Sequence, residues 1–270
     1  VYRAGYFAAR KHDGFGMTNI FLIGAGPGDP ELLTLKAYRL IRSADVVLYD
    51  SLVDRRIVRM ARRGARRIDV GKRCGKHSAP QAEICALLVA EGLAGHRVAR
   101  LKGGDPMVFG RASEEMAALE AAGLEYEVVP GVTAATAAAA SLKLSLTKRG
   151  VARSLHFLTG HGAEGGLPAH DWVSLTKSGG TLVVYMGGQT LSGLAAHFIE
   201  AGMPPDMPAI AVENASLESQ RNIYGTIASL PRMVMDAACE GPTLLMIGQA
   251  LGEAEMARAV LETVGAGLFR

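Results

Sequence analysis

The sequence predicts two α/β domains with a crevice between them. Three observations carry this. Over the first half, short apolar runs alternate with amphipathic segments, the order that builds a mainly parallel sheet with helices on both faces. The second half, from Leu155, repeats strand-like runs but sets two of them close together, which favours antiparallel pairs. Between the halves, Pro130-Gly131 and a stretch of small residues interrupt both patterns.

The elements follow in order. Residues 1–16 mix Tyr, Arg, Lys, His and Gly without period and lack the apolar run of a signal peptide, so they read as a disordered extension outside the fold. Ile20 to Gly24 is a buried strand ending in glycine. Glu31 to Arg42 places Leu33, Ala37, Leu40 and Ile41 on one helix face. Val46 to Tyr49 and Ile68 to Val70 are strands, Gln81 to Glu91 a helix, Arg97 to Leu101 a strand, Ser113 to Ala122 a helix and Tyr126 to Val129 a strand. A helix from Val132 to Ser141 follows. Strands are then expected at Leu155–Thr159, Thr181–Met186, Ala209–Glu213, Arg221–Thr226 and Leu244–Ile247, with helices at Leu191–Ala201 and Pro231–Ala238. The predicted division is an N-terminal α/β domain over 17–130, a linker and helix over 131–150, a C-terminal α/β domain over 151–250 and a tail or helix over 251–270.

Composition narrows the class. The chain has 270 residues, 49% hydrophobic and 20% charged, which suffices for a sizeable core. Lys plus Arg number 29 against 26 acids, a net charge of +3 that argues against a nucleic-acid coat while leaving room for a local basic site. No apolar run reaches membrane-spanning length. Three cysteines, Cys74, Cys85 and Cys239, form neither a disulfide framework nor a zinc pattern, so no metal and a reducing, cytoplasmic setting are expected.

Two glycine loops suggest a ligand. Gly24-Ala25-Gly26-Pro27-Gly28-Asp29-Pro30 follows the first strand, but a dinucleotide fingerprint needs glycine where Asp29 stands. Pro27 offers no N–H, and a carboxylate at a helix start competes with a pyrophosphate. A cationic or zwitterionic nucleoside suits this loop better than NAD. Gly103-Gly104-Asp105-Pro106 repeats the arrangement after the strand ending at Leu101. The plainer reading is that Asp29 and Asp105 are helix caps with proline at the next position.

These loops resemble the opening motifs of the tetrapyrrole methylases. Leu48-Tyr49-Asp50-Ser51-Leu52-Val53, Val70-Gly71-Lys72-Arg73, Val108-Phe109-Gly110-Arg111, Val129-Pro130-Gly131-Val132-Thr133-Ala134, Tyr185-Met186-Gly187 and Glu213-Asn214-Ala215 continue the resemblance in order, from about residue 18 to 250. The resemblance implies two α/β domains holding S-adenosyl-L-methionine in the cleft between them, with S-adenosyl-L-homocysteine as product. Carried over by motif, cofactor contacts fall on Pro27, Gly103, Gly104, Asp105 and Val108 in the first half. Thr133 and Ala134 follow at the junction, and Met186, Ala215 and Thr243 in the second half; Thr243 stands where the family often has alanine. Asp50 and Lys72 match a proton acceptor and a proton donor.

The implied reaction is C-methylation of uroporphyrinogen III at C2 and C7, giving precorrin-2 for sirohaem or cobalamin synthesis. A homodimer is implied, with no nucleic-acid or membrane partner. A macrocycle with eight carboxylates wants cations, and Arg73, Lys76, Arg111, Lys148, Arg149 and Arg153 are the candidates. The arginines over 55–67 read instead as a solvated helix face. Met107 stands where the family usually has Phe, Lys148 where His is common, and Ser141 to Ser145 lacks the usual Tyr and Ile-Pro pattern. The dehydrogenase–ferrochelatase domain fused to some relatives has no counterpart in these residues, so methylation alone is expected.

Overall fold

The first sheet is assembled from β1 (Ile20–Gly24), β2 (Val46–Tyr49), β3 (Arg66–Asp69), β4 (Val98–Lys102) and β5 (Tyr126–Val129) in the order β3-β2-β4-β1-β5, every pair parallel. The coordinates, a computed structural model, describe residues 18–71, 80–162 and 165–252. The extension predicted for 1–16, the tail over 253–270, and Lys72, Arg73, Lys76 and His77 lie outside the described residues.

Parallel pairing requires crossovers, and helices supply them. α1 (Leu35–Ser43) and the short α2 (Arg55–Arg59) cover one face, where Phe21, Ile23, Ala37, Ile41, Val47, Ile57 and Leu101 interlock. α3 (Gln81–Leu93) and α4 (Ala112–Ala121) cover the other, packing Ile84, Leu88 and Leu119 on Ile20, Leu22, Leu48 and Val98. Leu88 and Leu119 are fully buried, and each contributes about 2 kcal/mol of hydrophobic stabilisation.

The helix predicted from Glu31 breaks in two. Leu33 and Thr34 are extended, separating a 3-10 turn at Pro30–Leu32 from α1. Thr34 caps α1 by accepting from the Ala37 amide at 3.1 Å, and Asp29 caps the 3-10 turn through the Glu31 amide at 2.9 Å. The arginine-rich stretch also departs from a single solvated helix. Only Arg55–Arg59 is helical; Arg66 and Arg67 lie on β3, Arg62 pairs with Asp45, Arg66 with Glu91, and Arg67 donates to the carbonyls of Val58, Ala61, Arg62 and Ala65.

α5 (Ala134–Ser141) leads into the second sheet, of β6 (Leu155–Thr159), β7 (Thr181–Tyr185), β8 (Pro208–Glu213), β9 (Arg221–Thr226) and β10 (Thr243–Ile247). Its order is β6-β7-β10-β8-β9; β6–β7 is parallel and the other pairs antiparallel, as the closely spaced strands predict. α6 (Trp172–Lys177), α7 (Leu191–Glu200) and α8 (Leu230–Asp236) pack on one face. α5 packs on the other, its Ala135, Ala138 and Ala139 against Val183, Ile210, Val212 and Met246. Alanine there lets the helix backbone approach the sheet closely, which ties the linker to the second domain. Among the described residues no helix is long and apolar enough to cross a membrane.

Candidate active site

Three loops at the carboxyl ends of β1, β4 and β5 meet backbone to backbone. The Gly26 amide donates to the Gly104 carbonyl at 3.1 Å, and Gly104 returns the bond at 2.7 Å. A Cβ on Gly24 would lie 2.5 Å from the Gly131 nitrogen, and one on Gly131 only 2.3 Å from the Gly104 oxygen. Glycine is required here because no side chain fits between these peptides. The floor so formed brings the 27–29, 103–105 and 131–134 segments together, at the edge of an open α/β sheet where ligands bind.

Asp105 has a structural job in this floor. Its carboxylate accepts from the Met107 amide at 2.8 Å through one oxygen and from the Gly131 amide at 2.9 Å through the other. No helix starts at Pro106, so the capping reading of Asp105 is corrected to a clasp between two loops. Asp29 is a cap as read, and its amide also donates to the Ser216 hydroxyl at 3.1 Å, linking the first loop to the second domain. Gly28 presses on Leu217 beside it.

The second domain closes the crevice with the carboxyl ends of β7 and β8 and the start of β10. Thr243 pairs in register with Glu213, the Asn214 amide donates to Pro242, and Gly188 faces the Thr243 side chain. The loops bearing Met186, Ala215 and Thr243 are therefore neighbours. Besides the Asp29–Ser216 bond, the hydroxyls of Thr133 in the linker and Tyr185 lie 2.6 Å apart, and the rings of Phe109 in the first domain and Tyr185 sit 5.2 Å apart. Leu52, Met107, Phe109 and Met186 remain exposed around this junction. Five of the seven described non-glycine residues with positive φ lie on these loops: Phe109, Arg111, Met186, Asn214 and Ser216. Such backbone strain concentrates where a ligand is gripped. A separate groove of about 510 Å³ between α5 and the 216–220 turn contains none of the predicted site residues.

Glu213 holds the far wall. Its buried carboxylate takes the Arg221 guanidinium at 2.5 Å and the amides of Gly241 and Glu240 at 2.6 and 2.8 Å. The Arg221 bond first, then the two amides, bring its pKa from 4.5 to about 2 against the opposing effect of burial. A depressed carboxyl stabilises the fold fully above its unfolded value and loses that contribution as pH falls towards its folded value. Glu213→Gln should cost about 2 kcal/mol near neutral pH, and its deficit against the parent should shrink between about pH 5 and pH 2. Urea unfolding across that range checks this; a deficit constant with pH would contradict it.

Asp50 follows β2 on the sheet face that carries Arg100 and Lys102. Its carboxylate accepts from the Leu52 amide at 3.1 Å and lies 3.7 Å from the Arg100 guanidinium. Burial pushes its pKa up, more than Arg100 and the Leu52 amide pull it down. Gly71, the last described residue before Lys72, abuts the Asp50–Ser51 peptide. Among the substrate candidates, Arg111 is held by Glu114 through two bonds of 2.8 Å, which fixes its guanidinium at the start of α4. Lys148 and Ala152 bridge a tight turn that carries exposed Arg149 and is followed by exposed Arg153, and no hydrogen bond or ion pair among the described residues joins those two arginines to the crevice. Arg100, Lys102, Glu115, Tyr185 and Ser216 were not singled out from sequence; a helix glutamate spaced with the buried Ala112 and Leu119, opposite a strand with alternating cations, is the signal that identifies the first three.

Two α/β layers whose strand ends enclose a strained, glycine-floored crevice define a ligand-binding α/β protein of two domains. The tetrapyrrole (corrin/porphyrin) methylase model matches residues 19–231, and the chain belongs to that family. It is 44% identical over 240 residues to the uroporphyrinogen-III C-methyltransferase of Paracoccus denitrificans, covering 89% of this chain and 84% of that one. It is 45% identical over 245 residues to a siroheme synthase of Methylococcus capsulatus, covering 91% of this chain and 52% of the relative; it spans about half the length of the siroheme synthases it matches. The fold superposes with a TM-score of 0.72 on a uroporphyrin-III C-methyl transferase from Thermus thermophilus complexed with S-adenyl homocysteine, at 40% identity over 86% of this chain and 98% of that one.

Proposed function

We propose that the protein transfers methyl groups from S-adenosylmethionine to C2 and C7 of uroporphyrinogen III, giving precorrin-2. The observation that carries this is the crevice itself, at the positions of the ordered family motifs. Its lining suits such a donor. Pro27 removes an amide from the loop a pyrophosphate would use, and exposed apolar side chains at Leu52, Phe109 and Met186 offer flat walls. The Paracoccus relative carries the activity in its name, and the Thermus neighbour binds the demethylated cofactor.

S-adenosylmethionine supplies an electrophilic methyl on a positively charged sulfur. The chain's part is to hold macrocycle and donor in line and to exclude water; alignment of this kind is worth effective molarities of about 10⁵ M or more. When a pyrrole carbon takes the methyl, the carbon–sulfur bond breaks to a neutral thioether and the ring becomes cationic. Loss of a bridge-carbon proton restores neutrality, and Asp50 accepts it. A carboxylate with a raised pKa is a stronger base, and activity should rise with pH through that value, above the usual carboxylate range of about 4. Lys72 stands, by the family resemblance, in the position of the proton donor. Gly103, Thr133 and Ala134 offer backbone groups to the nucleoside, Gly104, tied to Gly26, lets it approach for want of a side chain, and Asp105 acts by fixing the loops. Arg111, oriented by Glu114, serves a substrate carboxylate. The homodimer and the cytoplasmic setting that the family implies remain part of this reading; light scattering of the purified chain tests the first.

Anaerobic incubation with S-adenosylmethionine and uroporphyrinogen III should yield a doubly methylated macrocycle by mass spectrometry. Transfer to precorrin-2 or precorrin-4 alone would assign another step of the same chemistry.

A further inference from the structure

Beneath the partly exposed Asp50, three charged side chains are shut away from solvent, two cations and one carboxylate. Arg100 and Lys102 are 3% exposed, on the central strand, and Glu115, in the first turn of α4, is fully buried. One Glu115 oxygen accepts from Arg100 Nε at 3.1 Å, from Lys102 Nζ at 2.7 Å and from the Gln81 amide at 3.3 Å. The other has no hydrogen-bond partner. Arg100 then extends towards Asp50, 3.7 Å away, while also donating to the Leu101 carbonyl at 2.8 Å.

A buried cluster like this is a poor way to stabilise a fold, because desolvation offsets most of the attraction and apolar residues of the same volume serve as well. A fixed electrostatic environment at one spot is what it provides. Asp50 is the member that reaches the crevice. Continuing the Tyr49–Leu101 register by one residue sets it beside Lys102. The Lys102 stem runs beneath Gly110, in the segment that carries Phe109 and Arg111.

We propose that Glu115 is a positioning residue for the methyl transfer: anchoring Arg100 and Lys102, it fixes the orientation and the proton affinity of the Asp50 carboxylate. This rests on the reading of Asp50 as proton acceptor. The described charges facing Asp50 are Arg100 and Lys102 from β4 and Glu115 from α4. The cations favour its ionised form and Glu115 opposes it, so the two signs can be tested separately.

The experiment is the pH profile of kcat for Glu115→Gln and Lys102→Met, with S-adenosylhomocysteine affinity and thermal melting measured alongside. Removing the Glu115 charge should move the acid limb to lower pH, and removing the Lys102 charge should move it to higher pH, each by about half a unit to one unit. Plateau kcat should fall about tenfold in both, with cofactor affinity retained. A merely structural role would lower the melting temperature and leave the acid limb in place, which would overturn the proposal. So would shifts of the same sign in both variants. Lys102→Met keeps the Glu115–Arg100 pair, and it decides the matter alone if Glu115→Gln does not fold. Asp50→Asn run in parallel separates the two ideas. If it abolishes turnover while the acid limb of the other variants stays fixed, the positioning role fails and the Asp50 reading stands; if it leaves turnover intact, both fail.

Discussion

Replacing Asp50 by Asn should lower the rate of methyl transfer by about 10²–10³-fold, the usual worth of a placed proton acceptor. Asn keeps the shape and can still accept from the Leu52 amide, so the turn after β2 should persist. What it loses is the ability to take a proton. S-adenosylhomocysteine affinity should stay within about threefold, under 0.7 kcal/mol, because among the described residues the Asp50 carboxylate bonds only its own turn and Arg100. The partly buried position favours a modest structural effect as well. The charge of Arg100 would lose one neighbour while keeping Glu115 at 3.1 Å. Steady-state kinetics and calorimetric titration of the same preparation check both halves. An unchanged rate would remove Asp50 from the chemistry, and a matching loss of cofactor affinity would make it a binding residue.

The second large effect is expected at the crevice floor. Gly131→Ala places a methyl 2.3 Å from the Gly104 oxygen and 2.8 Å from the Gly24 backbone. These are main-chain atoms, so no side chain can rotate away and the loops themselves must part. Overpacking of this kind costs about 3 kcal/mol. Parting the loops would also strain the Asp105 clasp on the Gly131 amide and shift Thr133 from its 2.6 Å contact with Tyr185. A loss of S-adenosylhomocysteine affinity of about tenfold or more, equal to about 1.4 kcal/mol, should accompany the loss of stability. Gly64→Ala is the control. Nothing lies within 4 Å of its Cβ, and it should leave both quantities near the parent values. Full stability and affinity in Gly131→Ala would mean that the floor is not as tight as the backbone contacts require.

Legibility from sequence divides along the range of the interactions. The apolar runs at Ile20–Gly24 and Val46–Tyr49 give strands with those bounds because burial makes them, and the run at Leu155–Thr159 gives a half-buried edge strand with the bounds read. Parallel and antiparallel pairing follow from the spacing of the runs. The helix from Glu31 is overextended because periodicity at Leu33 hid the competing cap at Thr34, whose hydroxyl holds the Ala37 amide. α6 escapes because six residues leave little room for a period, although Asp171 caps it, and the helix read over 55–67 shrinks to the five residues of α2 that Asp54 caps. The site is legible as motifs and not as forces. Asp105 reads as a ligand group or a helix cap, and what the sequence hides is that each of its oxygens accepts from an amide, 2 and 26 positions away, in place of a helix cap. The Arg100–Lys102–Glu115 cluster is hinted at by charges on buried faces of β4 and α4, and the fold is what sets the two faces against each other. The basic turn at 148–153 reads as a substrate rim from charge, and Arg149 and Arg153 are exposed on it, their charges unspent on any hydrogen bond or ion pair among the described residues.

The central claim is that the crevice between the two sheets takes the methyl donor. A crystal structure with S-adenosylhomocysteine tests it most directly. Density for the nucleoside is predicted against the 103–105 and 133–134 backbone, with the sulfur side near Met186 and the far edge near Ala215 and Thr243. Density anywhere else on the molecule, or its loss from these loops when NAD is added in excess, would contradict it.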